Sequence, residues 1–188
     1  EPYFVSAEGR DIYRSFVIPL NLKENKWVKA VEFKPGAPSV VHHALFRYDT
    51  TGNARRLDER SSTPGFTGMG RGGRSLQSLG GWAVGGTAKF LPEGLAFRLP
   101  RGSDLVMDMH FHLSGKAEKE VSTVGFYFTD KPPTSTFTGI QMPPVFGALS
   151  QVDIPAGEND YTVKDTFKLP IDVEAFGISS HAHYLGKQ

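Results

Sequence analysis

Cysteine is absent from all 188 residues, which excludes disulfide staples, zinc ribbons, iron–sulfur clusters and thiol nucleophiles in one step. A dominant charge is lacking too, since 21 basic residues face 20 acidic ones for a formal net charge of +1. A polyanion or an anionic membrane surface finds no electrostatic footprint here, and nucleic acid is not expected as a partner. No apolar run reaches the roughly 18 residues that a membrane helix needs, so no membrane span is expected. The opening Glu1-Pro2-Tyr3 has no basic segment leading into an apolar one, so the chain is either cytosolic or has had its signal removed. Amphipathic helical periodicity is scarce as well.

What is present is the vocabulary of a β protein. Short segments rich in Val, Ile, Phe, Tyr and Thr recur between Gly and Pro clusters, the pattern of an all-β sandwich. Strands are expected from Ile12 to Leu20, Lys26 to Phe33, Ser39 to Tyr48, Leu95 to Leu99, Asp104 to Leu113, Thr123 to Thr129, Tyr161 to Leu169 and Val173 to Tyr184. Pro35-Gly36, Thr51-Gly52, Pro92-Glu93-Gly94 and Arg101-Gly102 supply turns. Pro132 and Pro133 cannot donate to a ladder, which places a boundary between a domain of residues 1–133 and a second of residues 134–188. The second, at about 55 residues, is below the size at which a sandwich closes its own core, so it is expected to be incomplete and to continue past Gln188.

The stretch from Gly65 to Gly86 is glycine-rich and contains Gly68-Met-Gly-Arg-Gly-Gly73, which meets the letter of the dinucleotide fingerprint. No strand leads into it and no helix follows, so that match is rejected in favour of a mobile loop solvated by Arg71 and Arg74. One Arg-Gly-Gly triplet, Arg71-Gly72-Gly73, in a near-neutral chain does not make an RNA-binding segment. Neither His-Glu-x-x-His nor Gly-x-Ser-x-Gly occurs, so hydrolysis has no motif to rest on.

The strongest signal lies in the six histidines, which fall as His42/His43, His110/His112 and His181/His183. Scattered surface or core histidines seldom pair in this way, and all three pairs point to transition-metal binding. In a strand, residues i and i+2 project from one face about 6 to 7 Å apart, so His110/His112 and His181/His183 can each aim two imidazoles at one side. His42 and His43 are adjacent and point to opposite faces of a regular strand, and only a twist or bulge brings both to one ion. Around His110, the residues Leu105, Met107, Met109, Phe111 and Leu113 form a packing face, while Asp104, Asp108, His110 and His112 share the other. Asp108 is thereby a candidate acceptor for the remaining N–H of a ligating imidazole. Imidazole suits copper, zinc, iron and nickel, and the absence of cysteine disfavours a structural zinc, but spacing alone does not choose among them.

Six segments together resemble the copper type II, ascorbate-dependent monooxygenases, the family of dopamine β-monooxygenase and peptidylglycine α-hydroxylating monooxygenase. They are Tyr13-Arg-Ser-Phe-Val-Ile-Pro19, Lys34-Pro-Gly-Ala-Pro-Ser-Val-Val-His-His-Ala-Leu-Phe46, the run from Gly81-Trp-Ala-Val-Gly to Phe97, Asp108-Met-His-Phe-His112, Ile154-Pro-Ala-Gly-Glu158 and Ser180-His-Ala-His-Tyr-Leu-Gly-Lys187. The last is the most specific. The resemblance implies two jelly-roll-like antiparallel β-sandwich domains, the second incomplete, and two mononuclear copper sites in a full-length protein. His42, His43 and His110 would hold the copper that stores and delivers an electron, with His112 moved to a supporting position alongside Asp108. His181 and His183, with a methionine, would hold the copper that activates O2 to hydroxylate a C–H bond of a small-molecule or peptide substrate, ascorbate being the external reductant.

Three departures qualify the match. Ala44 stands where the family often has methionine, the family's methionine ligand lies downstream of the His-x-His pair while Met142 precedes it, and the animal enzymes' cysteines are missing. The last fits a bacterial relative that is secreted or periplasmic. The alternative functions are a non-catalytic copper-binding or electron-transfer protein with the same fold, and a sandwich module that binds carbohydrate or protein through Trp27, Trp82 and tyrosines.

Overall fold

β-branched and aromatic side chains that alternate with polar ones can satisfy the backbone only by pairing, and the chain does so throughout its first two thirds. The computed structural model describes residues 2–67, 76–142 and 152–180, and the chain divides into two compact units, residues 1–135 and 136–188. The first unit runs β1 (Tyr3–Val5), β2 (Ile12–Pro19), β3 (Lys26–Lys34), β4 (Val41–Asp49), α1 (Asn53–Glu59), β5 (Phe66–Thr67), β6 (Gln77–Ala83), β7 (Phe97–Leu99), β8 (Asp104–Phe111), β9 (Glu118–Glu120) and β10 (Thr123–Thr129). Every pairing is antiparallel. A five-stranded sheet in the order β5-β2-β8-β4-β6 packs in a sandwich-like arrangement with a three-stranded sheet β10-β3-β7 and the pair β1-β9. The unit is an all-β sandwich, as its sequence predicts.

β8 is the central strand of the larger sheet, and all eight of its residues are buried. Leu105, Met107, Met109 and Phe111 enter the core with Val28, Phe33, Phe46 and Leu99, each large side chain contributing roughly 1.5 to 3 kcal/mol by leaving water. The opposite face is covered differently. Val106 packs there against Ala54 of α1 and Phe66 of β5. α1 has only seven residues and no side-chain cap at Gly52. It is started instead by Asp49, whose carboxylate accepts from the N–H groups of Thr51 and Ala54 and from the Thr51 hydroxyl. Burial alone would push the Asp49 carboxyl up, but these donors hold it below its ordinary value.

Two expectations are corrected. The glycine-rich stretch, expected as a loop, contributes β5 and β6, and β6 pairs with β4 from His43 opposite Ala83 to Tyr48 opposite Gln77. Gly81 permits this approach, because a Cβ there would meet the Ala44 carbonyl oxygen at 2.9 Å. Residues 68–75, with Arg71, Arg74 and the Gly68–Gly73 motif, lie outside the described residues. In the second unit, neither Tyr161–Leu169 nor the described part of Val173–Tyr184 forms a strand. Tyr161, Val163, Phe167, Leu169 and Val173 stay between 40 and 55% exposed. Alternation supplies one apolar face, but a strand also needs a neighbour to take its N–H and C=O groups, and no strand occurs among that unit's described residues. Phe137 and Phe176 meet edge to face there, with ring centroids 5.5 Å apart.

Candidate metal centre

The centre is made by one irregularity between β4 and β8. Val41 pairs with Phe111 and His43 with His110, so the register shifts and His42 is the extra residue of a bulge. Pairing resumes on the far side, where the His112 N–H donates to the Val40 carbonyl at 2.8 Å. Val41 and Ala44, three residues apart, both enter the core, and the two histidines between them reach the same side. This is the geometry that regular alternation forbids.

The Nδ1 atoms of His42 and His43 lie 3.0 Å apart, and those of His43 and His110 lie 3.3 Å apart. One ring nitrogen from each of the three falls within 4.8 Å of the others. Two imidazole nitrogens bonded to one ion at 2.0 to 2.1 Å stand about 2.9 Å apart at a right angle and about 3.3 Å apart at a tetrahedral one. Both close contacts fall in that range, so the cluster could hold a metal ion. His43 and His110 are 6% and 1% exposed, whereas His42 is exposed. Two donors are therefore fixed by the sheet and the third faces solvent.

Asp11, just before β2, ties the arrangement together. Its Oδ2 lies 2.7 Å from His110 Nε2 and its Oδ1 lies 3.0 Å from His112 Nδ1. An ionised carboxylate only accepts, so the His110 proton sits on Nε2 and its Nδ1 lone pair is left for a metal. Tyr13, paired with His110 across β2 and β8, stacks on that imidazole with centroids 4.3 Å apart and planes 15° from parallel. Burial, and then the charge of Asp11, hold the Tyr13 hydroxyl above its ordinary value.

No protein-family model and no curated protein matches this chain.

Of the residues expected from sequence, His42, His43 and His110 are brought together. His112 is exposed and supports the cluster through Asp11. Asp108 is fully buried and accepts from the Ser15 hydroxyl and the Arg47 guanidinium. The carboxylate hydrogen-bonded to the imidazoles is Asp11, which sequence reasoning missed. Its signal is the register alone: Ile12 opposite Phe111 sets Asp11 against His112, and no spacing within one strand discloses a partner 99 residues away. His181 and His183 lie outside the described residues. Met142 is 56% exposed.

Proposed function

We propose that this protein is a copper protein of the ascorbate-dependent monooxygenase type, in which His42, His43 and His110 hold the copper that stores and passes on single electrons. The observation that carries the proposal is the convergence of three Nδ1 atoms across the β4 bulge. Three imidazoles without a thiolate suit copper or zinc and disfavour the oxygen-seeking magnesium and calcium. The resemblance of the surrounding segments to the monooxygenase family selects copper.

A bound copper ion would supply one-electron redox chemistry. The protein's part is to keep two donors rigid on central strands and to leave the His42 side open to a reductant. Over a full cycle a C–H bond, O2, two electrons and two protons yield an alcohol and water, with ascorbate or a similar external donor supplying the electrons. His181 and His183 would belong to the second copper site of that reaction, acting on a small-molecule or peptide substrate in a secreted or periplasmic setting.

Copper loading followed by dialysis, metal quantification and electron paramagnetic resonance tests this. The chain should retain copper, lose one equivalent on His43→Ala or His110→Ala, and lose a separate equivalent on His181→Ala with His183→Ala. Retention of the full copper content by His43→Ala would overturn the assignment, as would zinc displacing copper at equal concentration. A copper carrier without hydroxylase activity is the second reading, favoured because His42, His43 and His110 are the one candidate cluster among the described residues. Ascorbate oxidation without substrate-dependent O2 uptake would select it.

A further inference from the structure

We propose that Asp11 is the positioning residue of this centre, fixing which nitrogen of His110 faces the metal and biasing the ion toward its oxidised state; the proposal rests on the copper reading above. Each oxygen of Asp11 has its own imidazole, Oδ2 with His110 Nε2 at 2.7 Å and Oδ1 with His112 Nδ1 at 3.0 Å. The His110 side chain is 2% exposed and that of Asp11 15% exposed, so water competes weakly for the first bond. That bond holds the proton on Nε2 and resists a ring flip that would turn Nδ1 away from the His43 Nδ1 atom 3.3 Å off. The second bond, to His112, leaves the carboxylate no other orientation that keeps both contacts.

The electrostatic consequence is separate from the orientational one. Three imidazoles carry no charge in their ligating form, so Asp11 brings the negative charge to within one hydrogen bond of a ligand. A negative charge there stabilises Cu(II) more than Cu(I). Asp11→Asn keeps a carbonyl acceptor for His110 Nε2–H and removes the charge, whereas Asp11→Ala removes both. The two effects can therefore be told apart.

Two measurements decide the matter. Imidazole nitrogen-15 spectra of the metal-free chain should show His110 as the Nε2–H tautomer, with mixed tautomers or a mobile ring in Asp11→Ala. Competition titration should show Cu(II) affinity falling by about 10 to 100-fold in Asp11→Ala, and by less in His112→Ala, which removes the contact to Oδ1 and leaves that to His110 in place. Asp11→Asn should bind Cu(II) more weakly relative to Cu(I), and each tenfold change in that ratio raises the potential by about 59 mV. Wild-type affinity, potential and His110 tautomer in Asp11→Ala would overturn the role of Asp11 and leave the copper centre standing. Failure of the wild-type chain to bind copper would remove the centre itself.

Discussion

Replacing Arg47 by methionine strips a buried carboxylate of its counter-charge and should destabilise the fold by roughly 3 kcal/mol. Asp108 has no exposed surface, and the Arg47 side chain paired with it is only 17% exposed. Breaking a buried pair typically costs 3 to 5 kcal/mol. The lower end applies because Arg47 keeps some contact with water and because its Nε is a buried donor with no partner, whose removal recovers part of the loss. Ser15 remains as a single hydrogen-bond donor to Asp108, too little to hold an ionised carboxylate in the sheet. Trp27 and Trp82 are the only tryptophans and lie on β3 and β6, so fluorescence in a urea titration reports the first unit alone. With a urea slope of about 1 to 3 kcal/mol per molar, the midpoint should fall by roughly 1 to 3 M. The paired variant Arg47→Met with Asp108→Leu should recover much of the loss, because neither charge is then stranded. An Arg47→Met midpoint within about 0.2 M of wild type, or a pair no better than the sum of its singles, would refute the account.

The remaining tests address other parts of the same sheet. Gly81→Ala places a Cβ 2.9 Å from the Ala44 carbonyl oxygen and 3.0 Å from Leu45 Cδ2, and should cost about 1 to 3 kcal/mol in urea unfolding by prising β6 from β4. Because donors hold the Asp49 carboxyl below its ordinary value of 3.8, the stability it contributes is present above about pH 4 and is lost as pH falls through the lowered folded value. Urea midpoints measured against pH should therefore drop less steeply below pH 4 in Asp49→Asn than in wild type. Deleting His42 regularises the β4–β8 ladder and removes one donor, so the chain should fold with its sheet amides protected yet lose the same copper equivalent that His43→Ala loses. A folded deletion variant that keeps the equivalent lost in His43→Ala would show that the bulge is dispensable to the centre.

Much of the fold was legible because its strands obey a period of two. The faces of β8 separate in the sequence as they do in space, with Leu105, Met107, Met109 and Phe111 in the core. What escaped notice was imposed from outside each segment. β6 carries Gly80 and Gly81, residues with no preference for a strand, and is one because the edge of β4 offers it a ladder. α1 is too short to stand on propensity and depends on Asp49, which precedes it on β4. Asp108 was placed correctly on the histidine face, but its partners Ser15 and Arg47 come from two neighbouring strands, and only register assigns them. In the second unit the alternation from Tyr161 to Leu169 was equally clear and produced no strand, since pattern without a neighbouring strand satisfies no backbone.

The bulge at His42 is where fold and chemistry constrain each other. Parity shows it: Val41 and Ala44 are both core residues although three positions apart, so the chain must spend one residue off the ladder between them. Losing that regular pairing costs about 0.5 to 1.5 kcal/mol, the net worth of a hydrogen bond. A metal ion at a hundred times its dissociation constant returns about 2.7 kcal/mol, which exceeds the cost. The rest of β8 is paired on both sides, and a bound ion would more than offset the loss at the bulge. Nothing in the packing of the core asks for the extra residue, because a strand one residue shorter would bring Val41 and Ala44 to the same face unaided. What the extra residue does create is the convergence of His42, His43 and His110, a cluster that could hold a metal ion.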